Sequence, residues 1–228
     1  MNNGPLLQVK YLERSFKKGR EDYHVLKGIS FSMERGDTLG VIGVSGAGKT
    51  TLLQILGTLD RPTKGKISFD GVDLFSLKDE EVARFRRKNI GFIFQSYNLL
   101  PEFSAVENLM LPFMINGESA DKAKDKGISL MEKVGLKERI NHRVGELSGG
   151  EQQRIAIARA IALEPPLILA DEPTGNLDRT TGDRIINLLM ELVEVYSSTM
   201  ILVTHDEKIV SSFASRIRID DGRIVEEF

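Results

Sequence analysis

The chain has 228 residues, with 31 Lys and Arg against 33 Asp and Glu, 41% hydrophobic and 28% charged residues, and neither Cys nor Trp. It is long enough for a sizeable core and too apolar for disorder, and its net charge of −2 lacks the basic surplus of nucleic-acid-binding proteins. Without Cys there is no disulfide framework, no zinc–thiolate site and no thiol nucleophile.

The opening residues, Met1-Asn2-Asn3-Gly4-Pro5, carry neither the basic nor the apolar segment of a secretory leader. A cytoplasmic chain forming one domain over 1–228 is therefore expected. Segments 6–12 and 25–33 read as strands, separated by a basic–acidic turn at 17–22. A short apolar strand at 38–43 runs into a glycine-rich loop, and 49–59 has helical length with Leu52, Leu53, Ile55 and Leu56 for a buried face. A strand at 66–69, a charged helix at 78–88 and a strand at 90–94 follow. From 103 to about 145 strand signals vanish, and the pattern reads as helices broken at Pro112, Gly117 and Gly135. A helical subdomain at about 96–145, inserted into an α/β body, is expected there. Then come a helix at 149–162, a strand at 167–170, a helix at 180–196 and a strand at 200–204. Apolar stretches at 216–219 and 223–225 close the chain around the turn Asp220-Asp221-Gly222. Alternating strands and helices predict a mainly parallel sheet covered on both faces. The apolar runs at 38–43, 167–170 and 200–203 are strand-sized, far below the ~20 residues of a membrane-spanning helix.

Gly43-Val44-Ser45-Gly46-Ala47-Gly48-Lys49-Thr50 fits G-x-x-x-x-G-K-[ST] between a strand and a helix. Such a loop wraps its N–H groups around phosphates at a helix N-terminus whose dipole favours anions. Lys49 is expected on the β and γ phosphates and the Thr50 hydroxyl on Mg²⁺, with Thr51 next to it in the phosphate site. The alternative is a glycine-rich turn with an incidental Lys. The apolar strand 167–170 ends in Asp171 and Glu172, at the C-terminal end of a strand, where open α/β folds bind ligands. There Asp171 is a candidate Mg²⁺ ligand and Glu172 a candidate base that polarises water. Standing alone, the pair reads as a solvated acidic turn; beside a phosphate loop it reads as catalytic. Ser148 is a good N-cap, followed by Gly149 and Gly150 at a second helix start. His24 and His142 have no metal-ligand spacing, and Arg84, Arg86, Arg87 and Lys88, balanced by Asp79, Glu80 and Glu81, read as a solvated helix face.

In order along the chain stand the phosphate loop 43–50, Gln95 after a strand, Leu147-Ser148-Gly149-Gly150-Glu151, Asp171-Glu172, Asn176-Leu177-Asp178, and His205 after a strand. This series resembles the ATP-binding-cassette ATPases over essentially the whole chain. The resemblance implies a phosphate-loop NTPase fold with a mainly parallel central sheet, an N-terminal antiparallel β portion and an inserted helical subdomain. It implies ATP and Mg²⁺ as ligands and a head-to-tail dimer with a second copy, each ATP lying between one phosphate loop and the other chain's signature helix. Ser148, Gly149 and Gly150 then touch the γ-phosphate held by the partner, and His205 touches the γ-phosphate in its own chain. Gln95 joins Mg²⁺ and water to the helical subdomain, and Asp178 crosses the dimer interface. Phe16 is the first choice for the aromatic stacked on adenine, with Tyr23 as competitor; either ring could instead be ordinary packing. Glu151 departs from the commoner Gln after Ser-Gly-Gly.

The runs 56–63, 98–108, 141–143 and 170–178 resemble the branch containing lipoprotein-releasing, macrolide-export and cell-division cassettes, and 57–63 with 99–104 favours the first. That implies integral membrane subunits docking near Gln95 to Glu107, a place on the cytoplasmic side of a bacterial inner membrane, and no nucleic-acid partner. The alternatives within the branch are a macrolide-type exporter ATPase and a cell-division-type cassette that gates a membrane partner without transporting anything.

Overall fold

The computed structural model describes residues 4–19 and 21–228, without the side chain of Lys18. Residues 1–3 and Arg20, which carry part of the leader and turn expectations, lie outside the described residues. Strands β1 (Leu7–Lys18) and β2 (Glu21–Met33) form a long antiparallel ribbon. β3 (Thr38–Ile42) leads through the glycine loop into α1 (Lys49–Leu56). Next come β4 (Lys64–Phe69), the two-residue β5 (Val72–Asp73), α2 (Asp79–Asn89) and β6 (Ile90–Ile93). The stretch 96–145 carries α3 (Ala105–Ile115), α4 (Ala120–Lys133) and two 3-10 turns, tied by an isolated bridge between Ser104 and Arg143. The chain continues with α5 (Gly149–Ile161), β7 (Leu167–Asp171), α6 (Arg179–Val195), β8 (Thr199–Thr204), α7 (Glu207–Ser211), β9 (Ser215–Asp220) and β10 (Arg223–Glu227).

Two sheets result. The first is antiparallel, in the order β2-β1-β4-β5. The second runs β10-β9-β3-β8-β7-β6, parallel throughout except for the edge strand β10. Because side chains alternate across a strand, β7 and β8 feed two cores at once. Ile168, Ala170, Met200 and Leu202 pack with α3 to α6, whereas Leu167, Leu169, Ile201 and Val203 pack with α1 and the antiparallel sheet. A strand buried on both faces has to be continuously apolar, which is why these segments carry no polar alternation.

The expected break at Pro112 does not occur: α3 runs through it and ends three residues later. Near a C-terminus, proline costs one intrahelical hydrogen bond, and the remaining turn closes with Asn116 N–H on the Pro112 carbonyl at 3.1 Å. The actual stops are Gly117 and Gly135, both left-handed at φ 92° and 70°. At each, the following N–H reaches back five residues, Glu118 to Phe113 and Leu136 to Met131. This is the closure that needs positive φ after the last turn.

Candidate active site

The site forms at the C-terminal ends of β3, β7 and β8. After β3, Gly43 has no room for a Cβ, which would lie 2.3 Å from the Ile219 carbonyl. Gly48, the N-cap of α1, adopts φ 103°, a conformation a side chain rarely takes. These two constraints curl the loop so that α1 begins beside the cleft. Lys49, the first residue of α1, is only 7% exposed, and its Nζ donates to the carbonyls of Gly43 at 2.8 Å and Val44 at 3.2 Å. Thr50 Oγ1 donates to Asp171 Oδ1 at 3.3 Å. Burial, reinforced by the neighbouring Glu172 charge, raises the Asp171 pKa against the opposing influence of Thr50 and Lys49. A desolvated carboxylate beside a hydroxyl is a hard oxygen donor set, which fits Mg²⁺.

Register brings Glu172 together with its partners. Asp171 on β7 is paired with Val203 on β8, so Glu172 leaves the sheet beside Thr204 and His205. Thr204 Oγ1 donates to Glu172 Oε2 at 3.1 Å, His205 Nδ1 lies 3.0 Å from Glu172 Oε1, and Lys49 Nζ lies 4.0 Å from the same oxygen. Glu172 is held at φ 45°, left-handed for a residue with a side chain, by its N–H on the Val203 carbonyl at 3.0 Å. Backbone strain of this kind persists only where surrounding structure imposes it.

The resulting cleft has a volume of about 780 Å³ and is lined by Tyr23, Val25, Val44, Ser45, Gly46, Gly48, Lys49, Thr50, Thr51, Gln95, Glu172 and His205. Gly43 and Ala47 belong to the loop without lining it, and Asp171 stands behind Thr50. Tyr23 lines the cleft; Phe16 does not, but is its direct cross-strand partner and so lies on the same face of the ribbon. Val25, two residues beyond Tyr23 on β2, and Thr204 were absent from the expected site. With β2 extending back to Glu21, the two-residue spacing of one strand face places Val25 beside Tyr23, whereas only strand register reveals Thr204.

Ser148, Gly149, Gly150 and Asp178 lie outside this cleft. Ser148 caps α5 in a reciprocal box: Glu151 Oε2 accepts from Ser148 N–H at 2.8 Å, and Ser148 Oγ accepts from Glu151 N–H at 3.3 Å. Arg139 Nε adds an ion pair to Glu151 Oε1 at 2.8 Å. Arg139 first, then the Ser148 N–H, hold the Glu151 pKa down at about 2. Asp178 caps α6, accepting from Thr181 N–H at 3.1 Å, and the Thr181 side chain first, then that N–H, lower its pKa. Gln95 follows β6, its carbonyl accepting from Asn176 Nδ2 at 2.9 Å. Glu151 therefore keeps the helix start fixed, and a pH dependence follows. Its folded pKa is depressed from the ordinary 4.5, so its contribution is complete above about pH 4.5 and is lost as pH falls toward 2. Glu151→Gln is expected to cost about 1 kcal/mol at neutral pH. In urea titrations the difference from the parent should shrink between pH 4.5 and 2. A difference that stays constant across that window contradicts this role.

Comparison with known proteins adds independent findings. Residues 26–175 match the family described as ABC transporter. The chain is 46% identical over 220 residues to the lipoprotein-releasing system ATP-binding protein LolD of Syntrophus aciditrophicus, covering 96% of this chain and 99% of that protein. It is 47% identical over 222 residues to LolD of Geobacter metallireducens, covering 97% and 99%. Among solved structures, the ATP-binding cassette MJ0796, a dimer in a post-hydrolysis state bound to ADP and Pi, superposes with a TM-score of 0.90 at 37% identity, with 97% of each chain covered. With its phosphate loop, paired acids and capped signature helix in place and more than half its length matched, the chain belongs to the ABC transporter family.

Proposed function

We propose that the chain is the ATP-hydrolysing subunit of an inner-membrane complex that releases lipoproteins. Near full-length similarity to LolD proteins carries the lipoprotein assignment. The convergence of Lys49, Thr50, Asp171, Glu172 and His205 on one cleft supports hydrolysis there.

In this reading the loop N–H groups and Lys49 hold the phosphates, with the Gly43 and Val44 carbonyls orienting Lys49 Nζ at the loop. Thr50, Gln95 and Asp171 hold Mg²⁺, which when bound neutralises phosphate charge. Glu172 accepts the proton of the attacking water, Thr204 fixes its far oxygen, and His205 stands between it and the γ-phosphate. Adenine stacks on the Phe16 side of the Phe16–Tyr23 pair. Ser148, Gly149, Gly150 and Asp178, which do not reach their own cleft, serve the ATP of a second copy placed head to tail. The dimeric MJ0796 structures support that pairing.

The membrane subunits dock near Gln95 to Glu107. Leu100 and Phe103 are exposed there, while Leu99 packs against the helical core. A groove of about 290 Å³ lies nearby, lined by Phe92, Phe94, Pro112, Ile115 and Leu163 together with Arg87 and Arg159. Apolar surface rimmed by charge suits an amphipathic helix. No helix among the described residues is long and apolar enough to cross a membrane. In this reading the chain is held on the cytoplasmic side by those subunits, which the similarity to LolD proteins supports.

The test is reconstitution with the membrane subunits in liposomes, measuring ATP turnover with acylated lipoprotein, macrolide or no cargo. Stimulation by lipoprotein alone is expected, and stimulation by macrolide alone overturns the assignment. Combining Glu102→Lys with Phe103→Glu should lower stimulated turnover by about tenfold or more, as expected for losing a central anchor and reversing a rim charge. Unchanged assembly and stimulation would remove this segment from the docking surface.

A further inference from the structure

The run Gly57 to Thr63 has no part in the chemistry above, yet it joins several elements. The Thr58 carbonyl and hydroxyl accept from Arg86 of α2 at 2.7 and 3.2 Å. Thr63 ties to β1 twice, its N–H on the Glu13 carbonyl at 2.8 Å and its hydroxyl on Ser15 N–H at 3.0 Å. Asp60 accepts both arms of a fork from Arg14, Nε to Oδ2 at 2.7 Å and NH2 to Oδ1 at 2.8 Å. The two side chains are 22% and 24% exposed. A planar, bidentate and half-shielded pair holds its guanidinium in one orientation, unlike a solvated surface ion pair.

That orientation matters because of the ring that the guanidinium covers. Arg14 Cζ sits 4.3 Å from the centroid of the Phe16 ring. Phe16 is otherwise 39% exposed, and directly across the ribbon stands Tyr23, which lines the nucleotide cleft. Arg14 therefore covers one face of the ring, and Asp60 keeps it there. The same Asp60 lies four residues beyond the end of α1, the helix that begins with the phosphate-binding Lys49.

We propose that Arg14, clamped by Asp60, is a positioning residue for the purine of the bound nucleotide. It fixes the plane of Phe16, leaves only the ring's far face for the base, and ties that platform to the helix that holds the phosphates. A ring already immobilised loses less freedom when a base stacks on it, so the contact is stronger than a freely rotating ring would give. The planar cation on the near face contributes its own attraction to the ring. This inference rests on the reading that Phe16 carries the base.

The test measures binding of Mg-ATP and of Mg-tripolyphosphate, which has no base, to the full chain by calorimetry. Phe16→Ala should weaken ATP by about tenfold or more, as expected for losing an aromatic platform. Arg14→Ala should weaken ATP by about three- to fivefold. Arg14→Lys should behave similarly, because an ammonium keeps the charge but not the flat face. Tripolyphosphate affinity should be unchanged in all three. Arg14→Ala added to Phe16→Ala should produce no further loss. If Phe16→Ala weakens ATP and Arg14→Ala does not, the positioning role is wrong while the stacking reading stands. If Phe16→Ala leaves ATP affinity intact, the stacking reading fails and takes the inference with it. If Arg14→Ala weakens tripolyphosphate as much as ATP, Arg14 only supports the fold, which also overturns the proposal.

Discussion

Glu172→Gln is expected to lower ATP turnover by about 10²–10⁴, the usual cost of losing a general base. The amide keeps the size of the side chain and can still accept from Thr204 Oγ1, so the 3.1 Å contact survives. The strained φ of 45° is a backbone property imposed by the Val203 carbonyl and is not relieved by the change. What disappears is a negative charge within 3.0 Å of His205 and 4.0 Å of Lys49, and with it the ability to take a proton. Asp171 and Thr50 are untouched, so Mg-ATP binding should persist. Steady-state phosphate release measures the first effect and nucleotide retention the second. Turnover at the parent rate would show that Glu172 is not the base.

Lys49→Ala is expected to reduce turnover by about 10³ and to weaken ATP binding, since one preorganised cation on developing phosphate charge is worth about that much. The fold should survive. The ammonium rests on the Gly43 and Val44 carbonyls, and Val44 lines the open cleft, where water can replace it. A loss of stability within about 1 kcal/mol follows from one such exchange. Melting curves and ATPase assays on one preparation separate the two effects. A folded Lys49→Ala protein with normal turnover would overturn the assignment of the phosphate loop.

What the sequence made legible was either local or continuous. The phosphate loop, the acid pair and the Ser148 cap are each contiguous segments whose chemistry does not depend on distant packing. The apolar runs of β7 and β8 were visible because both faces of those strands are buried. By contrast, the far half of the β1–β2 ribbon escaped notice: its residues are mostly exposed, so no hydrophobic alternation marks it as strand. β5, with two residues, and α7, with five, are too short for any periodicity to develop. Pro112 was misleading because proline is tolerated close to a helix end that a glycine closes. Within the site, residues supplied by one segment were legible and partnerships between segments were not. Thr204 meets Glu172 only through the β7–β8 register, and Arg139 meets Glu151 only once the helical region packs against α5.

In the proposed reading two copies share each ATP site: Ser148 does not line its own chain's cleft, and the dimeric MJ0796 structures support the pairing. The direct measurement is the mass of Glu172→Gln in solution, by sizing with light scattering, in Mg-ATP and in Mg-ADP. Removing the carboxylate blocks hydrolysis and relieves its repulsion with the γ-phosphate, so the variant should be a dimer in Mg-ATP and a monomer in Mg-ADP. Adding Ser148→Arg, which places a bulky side chain at the helix start that must approach the partner's nucleotide, should return the dimer to monomer while each chain still binds ATP. A Glu172→Gln protein that binds ATP yet stays monomeric at high concentration, or a dimer indifferent to Ser148→Arg, would contradict the shared site.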